Sequence, residues 1–357
     1  MRALVARSAS EPPAVEEVDL PAPAAGEVRV EVEAAGVCHS DLSMIDGTLE
    51  PSFPLVLGHE AAGVVAEAGP GVDRVAVGDR VVLNWSPACR ACWFCEHGEP
   101  WLCARAGMPS TPRGWLADGT PMHVTLGLGA LAEQVVVPAT AVVAVPDGLA
   151  AESAALLGCA VLTGFGAVHR TAGVAAGESV AVVGLGGVGL SVVAAARAAG
   201  ADPVVALDVS DAKRDLAVAA GATDFVVPDD TVTKRVRAMT GGRGVDHAFE
   251  CVGRSETIRT AWRLTRRGGA CTIVGIGRRD DQVSFGAAEL FHSARTLRSS
   301  VYGSSDPDID LPELARTVLD GGFDPDVLVT HRAPLAEAAE AFTRMRRGEG
   351  ARTLVTP

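Results

Sequence analysis

The segment VVGLGGVG, residues 182–189, places glycines at 184, 186 and 189 directly after an apolar run (SVAVVG) and ahead of an Ala-rich amphipathic one (LSVVAAARAAG). Bare glycines at this spacing let a strand-to-helix turn approach a pyrophosphate closely, and the helix N-terminus favours the negative charge. The spacing alone is a weak signal, because glycines also serve close helix–strand packing. Its surroundings strengthen it: Asp208 closes the next apolar run nineteen residues after Gly189, where a carboxylate can accept hydrogen bonds from an adenosine ribose. An acid there also repels a 2′-phosphate, so the pattern predicts NAD rather than NADP. The plain alternative for Asp208 is a residue that ends a strand.

The same pattern extends through the second part of the chain. PVVALD, AKRDLAVAAG, DFVV, TKRVRAMTGG, VDHAFECVG, ETIRTAWRLTRRGG and CTIVGIG alternate β-like and helix-like stretches, the order expected of βαβ units in a doubly wound parallel sheet. Before residue 160 the chain reads differently. VRVEVEAAGV, GDRVVLNW, AEQVVV and AVVAVPDG are short alternating runs bounded by Gly, Pro and Asp, which predict a mostly antiparallel β domain with few helices. The closing residues offer a short strand (TLRSSVYG), two helical stretches and a terminal strand (ARTLVTP), too little for a separate domain. The expectation is an α/β chain in which residues 1–160, completed by 302–357, form one domain and 161–301 the other.

A chain of 357 residues, 48% hydrophobic, can bury a sizeable core and favours two domains over one. Its net charge of −13, with no basic patch visible along the sequence, argues against nucleic acid or an anionic membrane as partner. The opening MRALVARSASEPPAVEE lacks the apolar core of a signal peptide, and no uninterrupted apolar run reaches the roughly 20 residues of a membrane helix. The expected location is the cytoplasm, where the eight cysteines would serve as metal ligands, nucleophiles or core residues rather than in disulfides.

Four of those cysteines crowd into CRACWFCEHGEPWLC: Cys89, Cys92, Cys95 and Cys103. The spacing departs from a ferredoxin run, which closes with a three-residue gap and Cys-Pro. Four thiolates on one loop make a closed tetrahedral shell suited to zinc, and a closed shell leaves no position for a substrate. The site is therefore expected to be structural, with the nearby Trp93, Phe94 and Trp101 packing over the sulfurs; a redox pair is the alternative, since C-x-x-C occurs twice. A second, dispersed set comprises Cys38 in GVCHSD, His59 in LGHEAAG and Cys159 in LLGCAVLTG. Together they would form a Cys2His shell with a fourth position open, the arrangement of a catalytic zinc. Taken singly, Cys159 reads equally as a small buried hydrophobe and His59 as a hydrogen-bonded core histidine.

GVCHSD, GHEAAGVV, the four-cysteine loop after GDRVV, LLGCAVLTG and GLGGVG occur in the order found in the zinc-dependent medium-chain alcohol dehydrogenases, and the resemblance covers essentially the whole chain. It implies a GroES-like catalytic domain, a Rossmann coenzyme domain, an active site in the cleft between them, and two zinc ions per chain. Zinc on Cys38, His59 and Cys159 would act as a Lewis acid on an alcohol, with hydride passing to NAD. The resemblance casts Ser40 as the group that takes the alcohol proton, Asp41 as the residue orienting His59, and Glu60 as a carboxylate approaching the metal. The best-known members carry a histidine three residues beyond the serine; here that position is Ser43, so the resemblance implies proton release through water or another group.

By the same resemblance His39 and Arg352 lie at the pyrophosphate with Gly184, Gly186, Gly187 and Gly189. Thr163 and Val188 lie near the nicotinamide, Lys213 near the adenosine ribose and Arg254 over the adenine, and Val274 is a further cofactor-binding position. Plain solvated charge is the alternative for Lys213, Arg254 and Arg352. Trp85, Leu102, Ile276 and Val301 align with substrate-lining positions beside Ser40, an apolar slot suited to a hydrophobic primary alcohol or aldehyde. Cys251 and Cys271 fall in predicted strands and read as core. A narrower resemblance, carried by VVLNWSPACRACWFC, PWLC, LADGT and SSVYG, points to the mycobacterial branch that includes mycothiol-dependent formaldehyde dehydrogenases. That keeps open a thiol–formaldehyde adduct as substrate, and a nicotinoprotein that holds its NAD is a further variant. The segment between Cys103 and Gly127 resembles that of dimeric members, so a homodimer is expected, with a tetramer as the alternative.

Overall fold

The computed structural model describes every residue except Ser10 and 107–110. The chain divides into two compact units, Met1–Leu162 with Asp306–Pro357, and Thr163–Ser305.

The first unit is built around strand Glu27–Val37, whose Val28, Val30, Val32 and Ala34 alternate inward as a two-residue period requires. Its sheet runs, in spatial order, Val142–Ala144, Arg80–Leu83, Glu60–Ala68, Glu27–Val37, Arg352–Thr356 and Val329–Pro334, and Gln134–Pro138 also pairs with the central strand. The last strand of the chain is thereby set antiparallel to the end of Glu27–Val37, with Thr353 opposite Val37. That pairing delivers Arg352 to the residue before Cys38. Five shorter strands, Arg2–Ala6, Ala14–Asp19, Gly114–Leu116, Pro121–Val124 and Leu55–Val56, close into a small barrel. The segment on which the dimer expectation rested contributes two of these, and its residues 107–110 lie outside the described residues. Strand Val329–Pro334 was not foreseen: VTHRAP shows no alternation, because only Ala333 of it is buried.

The second unit holds a six-stranded, wholly parallel sheet in the order Asp224–Val226, Val204–Leu207, Val180–Val183, Val245–Glu250, Thr265–Ile273 and Thr296–Ser299. Numbered along the chain this is 3-2-1-4-5-6, the doubly wound dinucleotide-binding order. Val180–Val183 and Val204–Leu207 are buried at every position, as strands covered by helices on both faces must be. The expected fold class, a mostly-β domain joined to a parallel α/β one, is the one observed. Cys251 differs from expectation: it lies just past strand Val245–Glu250 and is only half-buried, whereas Cys271 is fully buried within its strand.

Ala151–Ala172 form one 22-residue helix, long and apolar enough by composition to cross a membrane, but 83% of its apolar window is buried inside the protein. It is a core helix, and the sequence underrated it because Glu152, His169 and Arg170 interrupt the apolar run. Within it, Leu157–Val161 adopts π geometry, which concentrates at functional positions, and Cys159 sits in that turn.

Candidate active site and metal centres

In the first unit the structure brings Cys38, His59 and Cys159 together, with ligand atoms within 4.8 Å of one another and all three residues buried. The Cys38 and Cys159 sulfurs are 4.0 Å apart and His59 Nε2 lies 3.4 Å from the Cys159 sulfur. A tetrahedral zinc with bonds of about 2.0–2.3 Å needs donor separations of about 3.5–3.8 Å, so the set fits such an ion with minor adjustment. Each residue arrives from a different element: Cys38 caps helix His39–Ile45, His59 precedes strand Glu60–Ala68, and Cys159 occupies the π turn.

Asp41 fixes the imidazole. Its Oδ1 lies 3.2 Å from His59 Nδ1 and accepts the Gly58 N–H at 2.9 Å, while Oδ2 accepts the Cys38 N–H at 3.4 Å. With Nδ1 directed at a carboxylate, Nε2 faces the two thiols, the orientation a metal-binding histidine takes. Burial disfavours the charged imidazole, but Asp41 and Cys38 outweigh it and hold the His59 pKa well above its ordinary value. The hydrogen bond from Cys159 pulls the Cys38 thiol well below its usual range against burial, and the same contact, with burial, pushes Cys159 well above. One thiolate is thus favoured before any cation arrives, and loading a metal would release the remaining protons.

Behind the cluster, Glu60 is fully buried and neither carboxylate oxygen has a hydrogen-bond partner. Burial pushes its pKa up to about 7, against the pull of Arg352. Arg352 is 3% exposed; its Nη1 donates to the Val37 carbonyl at 2.8 Å and stands 3.6 Å from Glu60 Oε2. Gly36 makes room for this pair, since a Cβ there would fall 2.6 Å from Glu60 Oε1. Orphaned carboxylate oxygens next to a Cys2His set are what a site made for a cation looks like. Ser40 is half-buried, with its hydroxyl 3.9 Å from the Cys38 sulfur, and Ser43, on the same helix His39–Ile45, is buried.

Cys89, Cys92, Cys95 and Cys103 form the second cluster, also within 4.8 Å, and more open to solvent. Cys92 lies 3.5 Å from Cys95 and 3.9 Å from Cys103, and the Cys89 N–H points at the Cys103 sulfur at 3.3 Å. These separations suit a tetrahedron of four zinc–sulfur bonds, for which edges are about 3.8 Å. Backbone N–H groups of Cys95 and Ala104 draw the Cys92 pKa down to about 6, while burial and Cys92 raise Cys95 to about 11. Trp93 is 61% exposed and stacks on His97 rather than covering the sulfurs.

In the second unit each glycine of the fingerprint has its own task. Gly184 has φ of +93°, a Cβ on exposed Gly186 would meet nothing within 4 Å, and one on Gly189 would fall 1.8 Å from the Gly184 carbonyl. Tight turn, open approach and close packing are the three demands of a pyrophosphate loop. Asp208 Oδ2 accepts the Leu185 N–H at 2.9 Å and Oδ1 that of Ser210 at 3.0 Å. Lys213 is buried beside it with Nζ 3.5 Å from the Leu185 carbonyl, its pKa lowered by burial against the pull of Asp208. Gly187 begins helix Gly187–Ala198, Val188 and Val274 are half-buried, and Thr163 is half-buried at the start of this unit. Arg254 is exposed at the N-cap of Ser255–Leu264, and Ile276 and Val301 are 57% and 44% exposed. In the first unit, His39 is exposed, Trp85 packs at the edge of the main core and Leu102 is 37% exposed.

Residues 24–147 match the family model of the alcohol dehydrogenase GroES-like domain, and 187–319 that of the zinc-binding dehydrogenase. The chain belongs to the zinc-dependent medium-chain alcohol dehydrogenase family. Over 99% of its length this dehydrogenase is 35% identical to an NDMA-dependent alcohol dehydrogenase of Amycolatopsis methanolica, covering 98% of that protein. It is 37% identical to an S-(hydroxymethyl)glutathione dehydrogenase of Escherichia coli, covering 99% of each chain. The crystal structure of benzyl alcohol dehydrogenase from Acinetobacter calcoaceticus superposes with a TM-score of 0.91 at 27% identity, over 99% of this chain and 98% of that one.

Two positioning groups of the dehydrogenase were not legible beforehand. Glu250, buried at the end of its strand, accepts N–H groups of Val252 and Gly253 at 2.9 and 2.8 Å and the Thr257 hydroxyl at 2.7 Å, and so shapes the loop carrying Arg254. Arg90, at φ of +58°, grips both oxygens of Asp306 at 2.6 Å and Asp308 at 2.6 Å, tying the four-cysteine loop to helix Pro307–Leu319. Those carboxylates lie more than two hundred positions from Arg90, beyond any local signal.

Proposed function

We propose that this chain is an NAD-dependent alcohol dehydrogenase acting on hydrophobic primary alcohols and their aldehydes, with one catalytic and one structural zinc. The observation that carries this reading is the buried Cys38–His59–Cys159 set with orphaned Glu60 behind it. Lewis-acid polarisation of the substrate oxygen is the chemistry zinc would supply when bound there, and NAD would accept the hydride. Asp41 holds the His59 tautomer, Arg352 balances Glu60, and Ser40, half-buried beside Cys38, takes the substrate proton. Ser43 offers no titratable imidazole, so the proton leaves through water. Gly184, Gly186 and Gly189 admit the pyrophosphate, Asp208 takes the adenosine ribose with Lys213 next to it, and Arg254 and His39 supply charge at the coenzyme. Thr163, Val188 and Val274 flank the nicotinamide, while Trp85, Leu102, Ile276 and Val301 supply apolar surface for substrate. Cys89, Cys92, Cys95 and Cys103 hold the structural ion. A cytoplasmic homodimer completes the reading.

The test is NADH formation by the zinc-replete enzyme with a series of primary alcohols, set beside formaldehyde with and without mycothiol or glutathione. Turnover of free alcohols without thiol supports the proposal. Activity only with formaldehyde plus thiol assigns the adduct substrate named in the Escherichia coli relative. Activity only with an external acceptor such as NDMA, which the Amycolatopsis relative's name favours, assigns tightly held NAD.

A further inference from the structure

The charge balance of the sequence, 31 basic against 44 acidic residues, predicts no basic surface. The structure corrects that expectation in the second unit, where Arg237, Gly242, Arg243, Arg266, Arg267 and Arg295 line a cavity of about 540 Å³. Among the described residues its wall holds five arginines and no carboxylate, with Asp246 paired to Arg266 from outside it. They come from separate places in the sequence: the last turn of helix Val232–Met239, the approach to strand Val245–Glu250, the first residues of Thr265–Ile273 and the approach to Thr296–Ser299. All these strands are parallel, so the arginines gather at the amino ends of the sheet. The glycine fingerprint follows the carboxyl end of Val180–Val183 in that sheet. The cavity is therefore distinct from the coenzyme loop.

Two of the five are held in place. Arg266 Nε donates to Asp246 Oδ1 at 2.5 Å and its Nη1 to the Arg267 carbonyl at 2.9 Å, which fixes its guanidinium plane. Arg295 lies 5.3 Å over the Trp262 ring and donates through Nε to the Arg266 carbonyl at 3.3 Å, which leaves both terminal nitrogens. Arg237, Arg243 and Arg267 are exposed and make no ion pair among the described residues. Burial and the neighbouring Arg237 lower the Arg295 pKa, a like-charge cost that a bound anion would relieve. Guanidinium forks match phosphate oxygens two at a time, and the volume falls in the usual range for a small-molecule site, about 300–1,000 Å³.

We infer that this cavity binds a compact polyanion carrying two or three linked phosphates, such as an inorganic or nucleoside di- or triphosphate, at a site separate from the coenzyme. A single phosphate engages one or two forks, whereas linked phosphates offer enough oxygens for guanidinium groups drawn from four elements. Anchored Arg266 and Arg295 orient the ligand, and Arg237, Arg243 and Arg267 close on it.

The test is calorimetric titration of the full-length protein with inorganic tripolyphosphate under saturating NAD. One molecule is expected to bind per chain, more weakly as salt rises, and about tenfold more weakly for each arginine removed in Arg243→Ala and Arg267→Ala. NADH affinity should be unchanged in both variants, and Arg267→Lys should retain part of the binding. Absence of binding, competition by NAD, or full affinity in the double variant would each overturn the inference. Tight binding of a single-stranded oligonucleotide with none of tripolyphosphate would overturn it in favour of a nucleic-acid surface.

Discussion

The two sulfur clusters of the first unit use the same element in opposite ways. Cys89, Cys92, Cys95 and Cys103 span fifteen consecutive residues, are three-quarters half-exposed, and supply four donors of one kind. Cys38, His59 and Cys159 lie up to 121 positions apart, are wholly buried and supply three donors of two kinds, backed by Asp41, Glu60 and Arg352. A local, closed set needs no fold around it and can hold a loop together. A dispersed, open set exists only once the sheet and the core helix have formed, and it keeps a position for something else. In the proposed reading, the difference separates an ion that would maintain the chain from one that would work in it.

Five substitutions would break or sharpen that contrast. Replacing His59 by Ala is expected to lower kcat/KM by about 10⁴-fold, near the several kcal/mol that Lewis-acid stabilisation supplies, and to cost about 2–3 kcal/mol of stability because buried Asp41 loses its partner, a smaller effect than that on turnover. A steady-state assay beside a melting curve checks both halves. Cys103→Ser should do the reverse, costing about 4 kcal/mol of stability through the lost metal while folded molecules still turn over; denaturant unfolding and activity per folded molecule are the readouts. Arg352→Ala leaves Glu60 as a buried, uncompensated carboxylate and should cost about 3 kcal/mol. Adding Glu60→Gln to that variant should restore part of the loss, and failure to do so would remove the pairing from the account. Asp41→Asn keeps the oxygen that faces His59 but not its charge, and about a tenfold weaker catalytic-metal affinity is expected, measured by competition with a chelator.

Much of this was readable in the chain because it is written locally. The four-cysteine loop and Gly184, Gly186 and Gly189 declare themselves by spacing, and the alternation of Glu27–Val37 by its period of two. Cys38, His59 and Cys159 are different: nothing in the residues alone links positions 121 apart, and only the order of GVCHSD, GHEAAG and LLGCAV joined them. Arg352 reads by resemblance as a coenzyme ligand, and antiparallel pairing of the last strand beside Val37 also brings its charge to Glu60, a contact that nothing local in the sequence reveals. Strand Val329–Pro334 escaped because it buries a single side chain. The five-arginine cavity escaped because net charge averages over a chain what folding gathers onto one edge of a sheet.

The most direct test of the contrast is zinc per chain measured with turnover on the native protein, Cys159→Ser and Cys95→Ser. The account predicts two ions in the native protein and one in Cys159→Ser, which stays folded and inactive; Cys95→Ser should also lose one ion but keep turnover in the molecules that remain folded. Two ions and full turnover in Cys159→Ser, or a folded Cys95→Ser that has lost its turnover, would contradict the division of labour between the two clusters.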